Sequence, residues 1–183
     1  MINELPKGIY QLVTWPDERL TTPSQECTDA DIDELKKMIK PMIAIMREYK
    51  GVGLAAVQIG VHKRFCLVLT GGVTPDGASN ENFVAMINPV IVEQGEIKNM
   101  QEGCLSLPGF SDVKKRSDEV VVKYRDLKWR EVTAVLTGIE AQCIQHEIQH
   151  MEGKPICNDI SVMKRQMWEK KLSKGKKYGK VRH

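Results

Sequence analysis

The strongest chemical signal in the chain is His146-Glu-Ile-Gln-His150. On a helix, residues four apart share one face a turn apart, so both imidazoles can meet one metal ion. Glu147, beside the first of them, can then reach a metal-bound water as general base. Two incidental histidines on a solvated helix are the plainer alternative. Against it, the motif takes two of only four histidines and lies on a segment with clear start and stop signals.

A catalytic metal site needs a third protein ligand and an open position. Downstream, Glu152, Asp159, Glu169 and His183 are available, with no context that favours any of them. Upstream, Gln101-Glu-Gly-Cys-Leu-Ser-Leu-Pro108 sets a cysteine beside glycine, between an expected edge strand and a proline, positioned to present its sulfur and the next amide. A buried structural thiol is the competing reading of Cys104 and the default for Cys27, Cys66, Cys143 and Cys157. Five cysteines are an odd number, and none form a Cys-x-x-Cys pair, so no disulfide framework is expected.

Gly51-x-Gly53-x-x-Ala56 satisfies a relaxed dinucleotide-binding pattern. That pattern needs a strand before it and a helix opening within it, whereas here a helix precedes it. A close-approach loop is the better reading, where missing side chains let a substrate backbone lie alongside. Gln58 can then project an amide into the site. His62, beside Lys63 and Arg64, reads as solvated.

The elements that must position these residues can be read from periodicity. Ile32, Leu35, Met38, Ile39, Met42, Ile43 and Met46 recur at helical spacing after Thr28-Asp29, with Pro41 expected to kink or split the helix. Arg64–Thr70 and Phe83–Val92 read as strands flanking a turn-rich loop, Gly71–Asn82. Glu119–Arg125 and Trp129–Leu136 form an expected hairpin around Asp126-Leu-Lys128. Thr137-Gly-Ile-Glu140 has the form of a capping box opening a helix from Gly138 to about Met151, with Gly153 as its stop. Ser161 can cap a last helix whose Met163, Met167 and Trp168 are read as packing. Helix, strands, then helix make an α+β domain, with mixed or antiparallel sheets around a central helix carrying His-Glu-x-x-His.

The 183 residues suit one domain, and 42% hydrophobic with 28% charged residues is ordinary globular composition. We expect residues 1–160 to form a single catalytic domain and 161–183 a C-terminal helix and basic tail. From Lys164 to His183 nine Lys or Arg stand against one Glu, a local +8 within a net charge of +3. There is no apolar run of bilayer length and no basic-then-apolar leader, so a cytoplasmic setting without membrane contact is expected.

Three segments together carry a resemblance. In order and spacing, Gly51-Val-Gly-Leu-Ala-Ala-Val-Gln58, Glu102-Gly-Cys-Leu-Ser106 and Gln145-His-Glu-Ile-Gln-His150 resemble the signature motifs of peptide deformylases. Trp15-Pro-Asp-Glu-Arg-Leu20 and Ile87-Asn-Pro89 are similar to that family as well, so the likeness spans Val13 to Asp159. It implies removal of the formyl group from the N-terminal methionine of new polypeptides by one metal ion, normally Fe(II). By the same resemblance, Cys104, His146 and His150 are the ligands and Glu147 the acid/base. Gln58 and the Leu105 backbone N–H would bind the developing oxyanion. Val52, Gly53, Leu54, Leu107, Gly109, Gln142 and Cys143 are its candidates for the substrate strand and methionine pocket. Two residues depart from the family pattern, Gln149 for Asp and Met151 for Leu, and Gly109-Phe-Ser111 lacks a basic residue that some members carry. Arg116 is the candidate partner of Gln149.

The expected activity is therefore a metal-dependent deformylase, acting as a monomer on N-formylmethionyl peptides. Zn(II), Ni(II) and Co(II) also suit the donor set. The basic tail could meet ribosomal RNA. One rival is a zinc endopeptidase with a downstream ligand such as Glu152 or Asp159. Another is a catalytically silent relative that binds ribosomal RNA through its tail.

Overall fold

A computed structural model describes residues 10–71 and 82–177. Most of the expected Gly71–Asn82 loop and the end of the basic tail lie outside those residues. α1 spans Ile32–Glu48, β1 Gly53–Ala55, β2 Phe65–Thr70, β3 Asn82–Gln94 and β4 Ile97–Gly103. Then follow β5 Ser111–Ser117, β6 Glu119–Arg125, β7 Glu131–Thr137, α2 Gly138–Met151 and α3 Val162–Lys177. One sheet has the order β1-β2-β3-β6-β7; β4 and β5 form a second, two-stranded sheet. All strand pairs are antiparallel, and the parallel pairing is an isolated bridge between Gln25 and Lys63. The class is α+β.

Strand β2 shows how the layers form. Side chains alternate across a strand, and here both faces are covered. Phe65 and Leu67 join Leu54 and Ile87 beneath Leu35, Met38, Met42 and Met46 of α1. Cys66 and Val68 join Met86, Val120 and Val122 beneath Ala141, Ile144 and Met151 of α2. The larger sheet is thus packed between two helices at its β1–β3 end.

Pro41 does not split α1, which is continuous across it. The proline removes one backbone donor, but its neighbours Met38 and Met42 are fully buried, each contributing on the order of 2 kcal/mol. The expected capping box at Thr137 is also absent: its side chain makes no cap bond. Gly138 instead takes φ +54 and donates its N–H to the Asp118 carbonyl, while Glu140 accepts from the Gly71 N–H at 2.8 Å. A tertiary partner displaces the local one. The β6–β7 hairpin forms as expected, with Asp126 accepting from the Lys128 and Arg130 N–H groups. Trp129, expected in the strand, lies in its turn at φ +61.

Beyond α2, Gly153 takes φ +70, and a Cβ there would sit 2.5 Å from the Thr21 carbonyl oxygen. Gly153→Ala is expected to cost ~2 kcal/mol or more, read as a lower urea midpoint at unchanged m-value. α3 is held to the body by Trp168, which packs edge-on to Phe110 at 5.2 Å between centroids and donates to the Pro108 carbonyl. Its start follows the expected cap, Ser161 Oγ accepting from the Lys164 N–H. Among the described residues no helix is long and apolar enough to cross a membrane.

Candidate metal centre

Helix α2 is buried on most of its circumference, polar residues included. Burying polar groups is costly unless they are paired, and the pairings show what the helix is for. Gln145 clasps the Ser117 backbone, accepting from its N–H at 3.0 Å and donating to its carbonyl at 2.8 Å. This ties α2 to the end of β5. One residue on, His146 and His150 turn toward the segment that follows β4. There the Cys104 Sγ lies 3.0 Å from His150 Nε2, and the two Nε2 atoms lie 3.1 Å apart.

The donor atoms of Cys104, His146 and His150 all fall within 4.8 Å of one another. Tetrahedral coordination by one sulfur and two imidazole nitrogens would set donor separations of about 3.3–3.6 Å, so small adjustments suffice for an ion. The two imidazoles differ in protonation: burial lowers the His146 pKa, but Cys104, Glu102 and Glu147 outweigh it and hold that ring well above its usual value, so an ion bound there would displace a proton. Glu102 accepts from His146 Nδ1 at 2.7 Å, which turns the Nε2 side of the ring toward the centre. Burial holds the His150 imidazole well below its usual pKa, in the neutral form that ligates metals. The remaining candidates lie elsewhere. Glu152 pairs with Lys154, Asp159 lies toward Lys114, and Glu169 accepts from the Trp15 indole. His183 lies outside the described residues.

Glu102 was not singled out from sequence, although it sits two residues before Cys104. Arg116 reaches it with two hydrogen bonds of 2.7 Å and donates to Gln149 Oε1 at 2.8 Å. Burial alone would raise the Glu102 carboxyl, but these bonds and His146 outweigh it and hold it at about 2. A fixed carboxylate therefore orients the His146 ring. The signal that could have found it is the hairpin register: Glu102 pairs with Asp112 and Arg116 with Lys98, so both side chains fall on one face of the small sheet. Gln149, at the far end of this chain of bonds, makes no side-chain hydrogen bond to Cys104, His146 or His150 among the described residues. Gln149→Asp is expected to leave kcat within a few-fold and to raise stability by ~1 kcal/mol through a charged bond to Arg116, checked by peptide kinetics and thermal melts.

The centre opens into a cleft of about 300 Å³, walled among others by Val52, Gly53, Gln58, Leu105, Gln142, Cys143 and Glu147. Three other candidates lie off it. Leu54 is buried under α1, and Leu107 is fully buried with Phe110 and Trp168. Gly109 takes φ +68 with open space around it, serving the turn. The glycines of the Gly51 segment make room for the protein's own side chains. A Cβ on Gly51 would meet Leu105 at 2.6 Å; on Gly53 it would meet Glu147 Oε1 at 2.5 Å and Cys143 Sγ closer still. Gly53–Ala55 is an edge strand of the larger sheet.

Glu147 points into this space. It is 3% exposed and its Oε2 has no hydrogen-bond partner among the described residues. Burial pushes its carboxyl up to about 7, with His146 acting against that rise. Gln58 is fixed from the other side. Its Oε1 accepts from the Ala55 N–H at 2.8 Å, so its Nε2 faces Ser106 Oγ at 3.1 Å and Cys104 Sγ at 3.7 Å.

The family model for polypeptide deformylase matches residues 9–166. A peptide deformylase of Thermodesulfovibrio yellowstonii is 38% identical over 166 residues, covering 90% of this chain and 97% of that one. One from Wolbachia pipientis is 39% identical over 176 residues, covering 93% and 98%. The crystal structure of a peptide deformylase from Ehrlichia chaffeensis superposes with TM-score 0.84 at 32% identity, covering 94% of this chain and 99% of that one.

Proposed function

Since this chain belongs to the peptide deformylase family, we propose that Cys104, His146 and His150 hold its metal ion and that Glu147 moves the protons of its reaction. The reaction is the family's: water is consumed, the C–N bond of the N-formyl group is cleaved, and formate leaves the N-terminal methionine of a new polypeptide. The observation that carries the assignment of residues is the convergence of three donor atoms beside a buried carboxylate, one of whose oxygens has no partner among the described residues, at a cleft. We take the ion to be Fe(II), with Zn(II), Ni(II) and Co(II) compatible with one thiolate and two imidazoles. Bound by these residues, it would supply Lewis acidity.

The chain's own groups do the rest. An extended formyl peptide pairs along the free edge of β1, with its first side chain directed along α2 toward Gln142 and Cys143. Gln58 Nε2 and the Leu105 backbone N–H donate to the formyl oxygen as its negative charge grows, each such donor being worth about 10²–10³ in rate. Glu147 accepts a proton from the attacking water and returns it to the departing amine nitrogen. Every one of these groups comes from a single copy of the chain, so we propose a monomer. We place it in the cytoplasm, where formylated chains are made.

The test is formate release from formyl-Met-Ala-Ser by anaerobically purified protein, with the formyl-free peptide as control. Formate without cleavage of internal bonds is expected; internal cleavage would favour an endopeptidase. We further propose that the exposed side of α3 and the basic residues after it meet ribosomal RNA phosphate through the +8 excess of residues 164–183. Trp168 is part of the core, so the informative truncation is after Ser173. Ribosome affinity should then fall and lose part of its salt dependence while short-peptide turnover persists; unchanged affinity would leave the tail a solubilising surface.

A further inference from the structure

Gln142 is a primary amide in the cleft wall, 7% exposed, next to Cys143 and one turn from Ile139, which also lines the cleft. A buried amide needs partners. Gln142 has one: its Nε2 donates a hydrogen to the Gln101 carbonyl at 2.8 Å. That bond fixes the plane of the amide, while the second N–H and Oε1 have no protein partner among the described residues. The neighbouring thiol is already engaged, Cys143 Sγ donating to the Val52 carbonyl at 3.4 Å.

Position along the helix says what the free N–H meets. Gln142 precedes His146 by four residues, so it lies on the same face about 6 Å along the axis. In an extended N-formylmethionine, five bonds separate the formyl carbon from the sulfur, also roughly 6 Å from ordinary bond lengths. With the formyl group at the metal centre, the sulfur reaches the level of Gln142.

We propose that Gln142 is a specificity-determining residue that donates its free N–H to the sulfur end of the first side chain, so that the pocket accepts formyl-methionine sulfoxide as well as formylmethionine. This rests on the reading of the cleft as the deformylation site. A thioether is a weak acceptor, and its gain from the contact is small. The S=O oxygen of the sulfoxide is a strong acceptor. In a wall of hydrocarbon it would be buried unpaired, at a penalty on the order of tenfold or more; here it has a donor.

The experiment compares kcat/KM for formyl-Met-Ala-Ser, formyl-norleucine-Ala-Ser and formyl-methionine-sulfoxide-Ala-Ser. The native enzyme should process the sulfoxide peptide within about tenfold of the methionine peptide. In Gln142→Leu the ratio of sulfoxide to norleucine turnover should fall by on the order of tenfold or more. Should the leucine variant fail to fold, Gln142→Met removes the donor at similar length and the same ratio is read. A native sulfoxide rate below about a hundredth of the methionine rate, or a ratio unchanged by the substitutions, would overturn the proposal. Absence of formate from formyl-Met-Ala-Ser with the native enzyme would instead overturn the deformylation reading itself.

Discussion

Glu147→Gln will lower kcat on a formylated peptide by at least ~10²-fold, the lower range for a positioned acid/base, while the metal content of the purified protein stays at the native level. The separation of the two effects follows from geometry. Glu147 is next to His146 in sequence, yet the converging donors belong to Cys104, His146 and His150 alone among the described residues. Its own Oε2 is buried without a partner among the described residues, and its Oε1 occupies the space a Cβ on Gly53 would need. Glutamine has the same shape, so packing against Gly53 and Cys143 survives, but an amide cannot take up a proton and pass it on. Metal analysis and steady-state formate release on the same preparation decide the matter. Loss of metal in step with activity would make Glu147 a ligand or a structural support, and the proton-transfer role would fall.

Cys104→Ser should fail in the opposite order, with metal leaving first. The thiolate supplies the negative charge of the donor set, and a serine hydroxyl near neutrality is a neutral, hard and weak substitute. We expect bound metal after dialysis to drop at least ~10-fold, with activity following it. The fold should persist, since the turn after β4 is fastened by other bonds: Leu107 N–H to the Cys104 carbonyl, Phe110 N–H to the Leu107 carbonyl, and Trp15 N–H to the Ser106 carbonyl. Circular dichroism therefore serves as the control. Native metal occupancy with native turnover in this variant would remove Cys104 from the centre and reopen the choice of third ligand.

What the sequence by itself determined is what lies within a few residues of chain. His146 and His150 face one way because a helix repeats about every 3.6 residues, and Glu147 is carried along with them. The β6–β7 hairpin, the buried stripe of α1 and the Ser161 cap were legible for the same reason, each being a contact between near neighbours. The odd set of five unpaired thiols already spoke against disulfides, and all five are free. Through resemblance of ordered motifs the family could be named, and with it the three side chains whose donor atoms converge, although no local spacing links Cys104 to His150.

Tertiary structure alone decided the rest. Sulfur and imidazole meet across 46 residues because Gln145 pins α2 to Ser117 at the end of β5, and β4 and β5 share a register. Glu102, Arg116 and Gln149 form one chain of bonds only after that pairing brings the hairpin against the helix. The side chains of Leu54 and Leu107, candidates for the substrate strand and methionine pocket, lie in the core, because a fully apolar side chain gains most where no water remains. Glu140, read as half of a capping box, turned to Gly71. In each case a local preference of about 1 kcal/mol was set against burial or pairing with a group distant in sequence, and the distant partner, invisible to spacing, won.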